Sequence, residues 1–360
     1  MDRAEGKRRG ALSNPAGRFE PYGVGPPDED DPAPIPEEPE WEPPALKTTV
    51  TPEVTRTIIT RNDSPDIPFD RSINPYKGCE HGCVYCFARP THAYIGLSPG
   101  LDFESRIIAK PQAAALLREE LRRPGYRCEV MALGSNTDPY QPVERALKIT
   151  RAVLETLSEH DHPVGIVTKS SLVLRDADIL ASMASRNLAF VMISITTLDG
   201  ELARRMEPRA ASPERRVAVL KELSAAGVPV GVLASPMIPG LNDRELERIL
   251  ETCARAGATT AGYTLLRMPL EIKDLFTEWL RRHYPLRADH VLSLVRSARD
   301  GRLNDPQFGS RMRGTGAYAA LIKRRFDVAC RRLSLNASRA ALDTSRFRLP
   351  PRPGDQQELF

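Results

Sequence analysis

The chain has 360 residues, 41% of them aliphatic or aromatic and 27% charged, with a formal net charge of +4. That is enough apolar material for one large domain or two ordinary ones, and no apolar run approaches the roughly 20 residues that span a bilayer. The charge is uneven: residues 1–50 carry a net −5 and residues 275–348 a net +10, which would draw the two ends to each other or the basic end to a polyanion.

In chain order, residues 1–46 read as a disordered tail. They hold ten prolines, many acids and few large apolar side chains, so they cannot bury enough surface to offset their ordering entropy. The basic patch Lys7-Arg8-Arg9 has no apolar stretch behind it. A secretory signal is therefore not expected, and the expected compartment is the cytosol.

From about residue 70, short β-branched runs alternate with amphipathic ones. Strands are predicted near Ser72–Tyr76, then at Arg127–Leu133, Pro163–Thr168, Leu188–Ile195, Val228–Ala234 and Thr259–Leu265. Helices are predicted between them at Pro111–Arg123, Glu144–His160, Asp176–Arg186, Pro213–Ala226 and Asp243–Ala256, with Gly227 and Gly257 as C-terminal stops. Six β–α alternations imply an α/β fold with a parallel sheet. Periodicity alone leaves a complete barrel, a partial barrel and an open doubly wound sheet in play. Residues 271–360 read as a helical, basic extension containing a glycine-rich loop, Phe308–Gly316. The expected division is a tail over 1–46, a core over 47–270 and an extension over 271–360.

Three of the six cysteines crowd into one loop. Asn74–Pro90 reads NPYKGCEHGCVYCFARP and places Cys79, Cys83 and Cys86 in a C-x3-C-x2-C spacing, whereas Cys128, Cys253 and Cys330 are scattered. Clustered thiols in a reducing compartment point to metal or redox chemistry rather than disulfides. Thiolates suit zinc and iron–sulfur clusters. With His81 or His92 as a fourth ligand the loop could hold zinc; with a distant cysteine it could hold a four-thiolate cluster. With three thiolates alone it would leave one iron of a cubane open to a small molecule. The loop follows the first strand, and β/α folds place their active sites at such strand ends.

The C-x3-C-x-aromatic-C pattern, with Tyr85 before Cys86, resembles the signature of the radical S-adenosylmethionine superfamily. Further similarity runs through residues 72–265. Leu133–Glu144 (LGSNTDPYQPVE) resembles the element that holds the methionine amino group, which would involve Gly134, Ser135, Asn136, Thr137 and Asp138. Ser194, Thr196 and Thr197 fall where relatives contact the ribose, and Pro236–Gly240 where they pack the adenine. Lys169 and Ser170, at the end of the third strand, are read as either contacts to the cofactor carboxylate or ordinary polar loop residues. NPYKGCEHGCVYC and SNTDPYQPVE together are most similar to the branch named for spore photoproduct lyase, "DNA repair photolyase-like".

The resemblance implies a partial (β/α)6 TIM-type barrel and a [4Fe-4S] cluster on Cys79, Cys83 and Cys86. It also implies S-adenosylmethionine as cofactor, an external one-electron donor of flavodoxin or ferredoxin type, and a lyase or oxidoreductase. The implied chemistry is reductive cleavage of the sulfonium to a 5′-deoxyadenosyl radical that abstracts hydrogen from a substrate, with nucleic acid one candidate. The alternative is a non-enzymatic zinc or iron–sulfur module. One departure stands out: spore photoproduct lyase uses an extra cysteine, after the second strand, as hydrogen donor. Here that loop, GSNTDPYQ, has none, which argues against thymine-dimer repair. Glu207 and Arg209 are read as either cofactor contacts or a surface ion pair. Arg311, Arg313, Lys323, Arg324 and Arg325 are read as either phosphate contacts or a solvated face.

Overall fold

A computed structural model describes residues 9–19, 46–338 and 341–350. Six strands form the frame: β1 (Arg71–Ile73), β2 (Met131–Leu133), β3 (Val164–Thr168), β4 (Ala189–Ser194), β5 (Val230–Met237) and β6 (Thr260–Leu265). They lie side by side in chain order, each parallel to the next. Ile59–Arg61 adds an antiparallel strand on the outer edge of β1. Among the described residues β6 does not pair with β1. The order never reverses, as a doubly wound sheet must. The architecture is therefore mixed α/β with a sequentially ordered parallel sheet. The middle strands, β2–β5, are short and rich in Val, Ile, Ala and Met, the composition of strands covered on both faces.

Helices follow as the periodicity predicts: α1 (Ala113–Leu121), α2 (Ile149–Glu159), α3 (Ala177–Ala184), α4 (Pro213–Ala225) and α5 (Leu246–Arg255). The start of α4 shows why. Ser212 Oγ accepts from the amide of Arg215 at 3.3 Å, Pro213 occupies the first turn, and Gly227 at φ +80° closes the end. The predicted helix 144–160 is instead broken at Lys148, at φ +53°. The buried Glu144 carboxylate turns back to accept from the amide of Thr150 at 3.0 Å and pairs with Arg175 at 2.7 Å, so it restarts the chain as α2.

Composition did not foresee two features. Thr49–Pro52, Arg106–Ala109 and Tyr76–Lys77 form a separate three-stranded sheet that braces the cysteine loop. Residues 9–19, expected to be part of a disordered tail, are instead packed against that loop, with Gly10 and Ala11 buried. Residues 1–8 and 20–45 of the expected tail lie outside the described residues.

In the C-terminal third, α6 (Ile272–His283), α7 (Ala288–Ser297) and α8 (Gly316–Arg332) are helical as expected. Phe276, Trp279, Leu280, Val291 and Val295 form one apolar cluster with Ala11, Val84 and Tyr85. Each large side chain buried there contributes roughly 1.5–3 kcal/mol, so the extension is part of the wall behind the cysteine loop. No helix among the described residues is long and apolar enough to cross a membrane.

Candidate functional site

The cysteine loop leaves β1 at Ile73 and is held almost entirely by main-chain bonds. The amide of Cys79 donates to Phe103 O at 2.9 Å, that of Val84 to Met206 O at 3.0 Å and that of Cys86 to Cys83 O at 3.2 Å. Gly82 sits at φ +68°, and a Cβ there would lie 2.7 Å from the Glu104 carboxylate, so the loop needs glycine at this point. Arg89, fully buried, donates to Cys83 O at 2.8 Å and to Gly100 O at 2.8 Å, and pairs with Glu104. Glu104 also accepts from the amides of Gly10 at 2.8 Å and Ala11 at 2.7 Å. One carboxylate thus joins the N-terminal segment to the cysteine loop.

The three thiols share one surrounding. Cys79 and Cys86 pack with Ala88 and Phe103, while Cys83 packs with Tyr85 and Cys86. Burial pushes the Cys79 thiol well up, and the neighbouring charges of Asp138, Cys83 and Cys86 push the same way. Burial likewise takes Cys83 up to about 12, partly opposed by Lys169. Among the described residues no three His, Cys, Asp or Glu side chains close on a point fit for a single metal ion. His92 bonds Arg106 O at 3.1 Å and packs edge-on to Phe103, while His81 pairs with Asp138 at 3.3 Å. Cys128 stands before β2, beside Arg71 and Glu129, and Cys253 and Cys330 lie in the main core; none of them joins the trio. Three thiols in mutual electrostatic range, Cys79 and Cys83 buried and Cys86 half-buried, with no fourth beside them, suit a polynuclear cluster whose cationic core offsets their charge and leaves one metal corner open.

The loop after β2 lies against this trio. Gly134, at φ +84°, passes so close to β3 that a Cβ would stand 2.1 Å from Val167 O. Asn74 Oδ1 accepts from the amides of Asn136 at 3.1 Å and Thr137 at 3.4 Å, and its side-chain amide donates to Ser135 Oγ at 3.3 Å. Thr137 Oγ1 donates to Tyr76 O at 2.9 Å. Asp138 is turned inward and fully engaged: Oδ1 accepts from Thr168 Oγ1 at 2.7 Å and the Tyr140 amide at 2.9 Å, and Oδ2 from the Lys169 amide at 2.8 Å. Burial would raise its carboxyl, but His81 and these donors outweigh that and hold it to about 2.

A second network runs through the ends of β3, β4 and β5. Tyr85 OH donates to Glu207, which is paired with the buried Arg216. Thr196 Oγ1 lies 2.6 Å from Glu207 Oε1, 3.0 Å from Ser235 O and 3.1 Å from the Tyr85 hydroxyl. Burial would raise Glu207, but Arg216 and Lys169 bring it down to about 2. Lys169 Nζ stands 5.9 Å from the centre of the Tyr85 ring and, among the described residues, forms no ion pair. Burial would lower its ammonium, yet Cys83 and Glu207 more than compensate and raise it. Thr197 bonds Glu245 at 2.6 Å, and Ser194 Oγ reaches Ser235 O at 3.5 Å. Pro236 O accepts from Asn242 Nδ2 at 3.0 Å, and the same amide donates to Thr196 O at 2.7 Å, tying the ends of β4 and β5 together.

The structure thus brings Tyr85, Lys169, Thr196 and the three cysteines together, but it does not pair Glu207 with Arg209. Glu207 is buried on Arg216, and Arg209 instead meets Glu80 at 2.9 Å. The basic residues of the extension are largely engaged: Arg311 with Asp66, Arg325 with Glu247, Lys323 with Asp327, and Arg313 over the Tyr263 ring. Sequence reasoning missed Glu104, Arg89, Asn74, Gln141, Arg216 and Asn242, whose partners are mostly main-chain atoms of distant loops. Gln141 is typical, bridging Gly78 O at 3.1 Å and the Glu80 amide at 2.9 Å.

The profile of the radical SAM superfamily matches residues 73–253. An uncharacterised protein of Mycobacterium tuberculosis (strain H37Rv) is 38% identical over 221 residues, 61% of this chain and 65% of its own. The chain therefore spans just under two thirds of that relative's length. An uncharacterised protein of Methanocaldococcus jannaschii is 28% identical over 214 residues, covering 59% of this chain and 76% of its own. Among solved structures, a spore photoproduct lyase variant with bound AdoMet and dinucleoside spore photoproduct superposes with a TM-score of 0.56. It covers 79% of this chain and 78% of that one at 16% identity, a likeness of fold.

Proposed function

Because this chain belongs to the radical SAM superfamily, whose members use a [4Fe-4S] cluster and S-adenosylmethionine and need an external electron donor, we propose that it reductively cleaves S-adenosylmethionine on a cluster held by Cys79, Cys83 and Cys86. The cluster and cofactor supply one-electron cleavage of a sulfonium bond and with it a 5′-deoxyadenosyl radical for hydrogen abstraction. Everything else falls to the protein, which positions the reactants, shields them and sets the local charge.

The observation that carries this reading is the meeting of three clustered thiols, two of them buried and Cys86 half-buried, with a lysine that forms no ion pair among the described residues, at the carboxyl ends of parallel strands. Lys169 offers its ammonium to the cofactor's carboxylate. Main-chain groups of Gly134, Ser135, Asn136 and Thr137, held by Asn74, face its amino group, and Asp138 fixes that loop from behind. Thr196 and Ser194 supply hydroxyls for the ribose, and the Pro236 turn supplies an apolar edge for the adenine. Tyr85 joins the cluster loop to Glu207 and Arg216. The sequential six-stranded sheet supports a partial barrel around this centre. The loop after β2 lacks a cysteine, so the hydrogen donor differs from that of a thymine-dimer lyase. The reading places the enzyme in the lyase or oxidoreductase class and in the cytoplasm, with a flavodoxin- or ferredoxin-type donor and nucleic acid as one substrate class.

The test is anaerobic reconstitution followed by iron and sulfide counting and electron paramagnetic resonance, with and without S-adenosylmethionine. A cubane signal altered by the cofactor, with 5′-deoxyadenosine released, is expected. Cys83→Ala should lose cluster and cleavage together, and Cys128→Ala neither. Stoichiometric zinc in place of iron would return the loop to a structural role.

A further inference from the structure

At the end of β6, next to the cysteine loop, stands a group of arginines with too few acids. Arg267 is half-buried, and among the described residues it forms no ion pair. The polar contact of its guanidinium is with Met312 Sδ at 3.6 Å, a poor acceptor. Its Nε is shut off from solvent without a hydrogen-bond partner. Arg299, fully buried behind it, is satisfied by carbonyls alone: Leu266 O at 2.6 Å, Leu265 O at 3.3 Å and Arg311 O at 3.1 Å. Arg311 is paired with Asp66. Asp305, the other acid acting on Arg267, already accepts from Ser310 and the Gln307 amide. Burial and the Arg311 charge both depress the Arg267 guanidinium, and burial takes Arg299 down to about 10.

A buried charge without a partner is costly unless something binds it. The guanidinium carbon of Arg267 lies 5.7 Å from the centre of the Phe87 ring, and Phe87 directly follows Cys86. Phe87 is itself 48% exposed, an apolar face left open beside the thiols. A forked donor set missing its acceptor, beside an uncovered aromatic ring at the edge of the reaction centre, is the complement of an oxyanion attached to a less polar body.

We propose that Arg267 anchors a phosphate or carboxylate group of the substrate, with the adjoining part of that substrate resting on Phe87. The assignment deepens the reading above by naming a substrate class, and it rests on that reading for what then happens to the substrate. Arg299 and Arg311 are positioning residues, since they fix the loop carbonyls and the charge around Arg267.

The test uses reconstituted holoprotein and inorganic phosphate as probe. Phosphate should raise the thermal midpoint of the wild type saturably. Arg267→Met should shift the half-saturating concentration upward by at least about tenfold, and Arg267→Lys should fall between the two. Without phosphate, Arg267→Met should melt at or above the wild-type temperature, because it removes a half-buried charge that forms no ion pair; a structural arginine would show the opposite. A short oligothymidylate in place of phosphate distinguishes the sources: Arg267-dependent binding of it assigns a nucleic-acid phosphodiester, and a response to phosphate alone assigns a small anion. Equal phosphate responses in wild type and Arg267→Met, or no response in either, would overturn the assignment. So would a tenfold weaker S-adenosylmethionine affinity in Arg267→Met, which would hand the residue to the cofactor. In all these variants 5′-deoxyadenosine release without substrate should persist, so failure here is separable from failure of the cluster reading.

Discussion

Gly10 approaches Gly82 so closely that a Cβ on Gly10 would stand 1.6 Å from the Gly82 carbonyl oxygen. Two segments 72 residues apart in the chain are therefore in backbone contact at the turn between Cys79 and Cys83. Neither has room for a side chain, and the Glu104 carboxylate lies against both, accepting from the Gly10 amide.

Gly10→Ala must lift residues 9–15 off the cysteine loop. The variant is expected to keep its iron and sulfide content on anaerobic reconstitution but to release iron to a chelator severalfold faster. Trypsin should also cleave after Arg9 and Arg18 sooner than in the wild type. Unchanged chelation and proteolysis rates would show that the N-terminal segment does not shield the loop.

Lys169→Met removes an ammonium near the thiols that, among the described residues, forms no ion pair, although the Glu207 charge acts on it. Iron content and the reduced-cluster resonance without cofactor should be preserved. Affinity for S-adenosylmethionine should fall by about tenfold, equivalent to about 1.4 kcal/mol. Loss of the cluster itself would instead make Lys169 a support for the loop.

Glu207→Gln leaves the Arg216 guanidinium buried without its counter-charge. Breaking such a pair from one side typically costs roughly 3–5 kcal/mol, and chemical denaturation should register a loss in that range. Replacing both with apolar residues of similar size should recover much of it. A single-variant loss below about 1 kcal/mol would mean that water reaches Arg216.

His162 provides an acid-sensitive point remote from the thiols. It is fully buried between Tyr126, at 2.7 Å, and Pro163 O, at 3.0 Å, and burial lowers its imidazole from 6.5 to about 4. The folded state therefore resists a proton that the unfolded chain accepts. The stability this confers is complete above pH 6.5 and is lost as the pH falls toward 4. By pH 5 the loss is about 2 kcal/mol, measurable as a falling denaturation midpoint. His162→Phe should flatten that fall; an unchanged slope would place its cause at other groups.

Much of the frame was legible because its signals are local. β3 and β4 are runs of β-branched and apolar residues, and Gly227 and Gly257 mark the ends of α4 and α5 from their own chemistry. The thiols were legible because all three fall within eight residues. What escaped depends on distance along the chain. Gly10 and Ala11 sit in a proline- and acid-rich window whose average hides two residues that bind Glu104, over 90 positions away. Glu207 and Arg216 are nine apart across a loop, a spacing no helical rule singles out. Lys148 broke a helix that periodicity would have run straight through, because a buried Glu144 competes for the amides of the following turn.

The docking of residues 9–15 also bears on handling. A polyhistidine sequence joined directly to Arg9 in place of residues 1–8 would start beside the loop that carries Cys79 and Cys83. Its imidazoles would compete with the thiols for added iron and would pull on the contact between Gly10 and Gly82. Metal counts from protein tagged in that way would report the tag together with the site, so an affinity handle placed elsewhere, or removed before reconstitution, is the sounder choice.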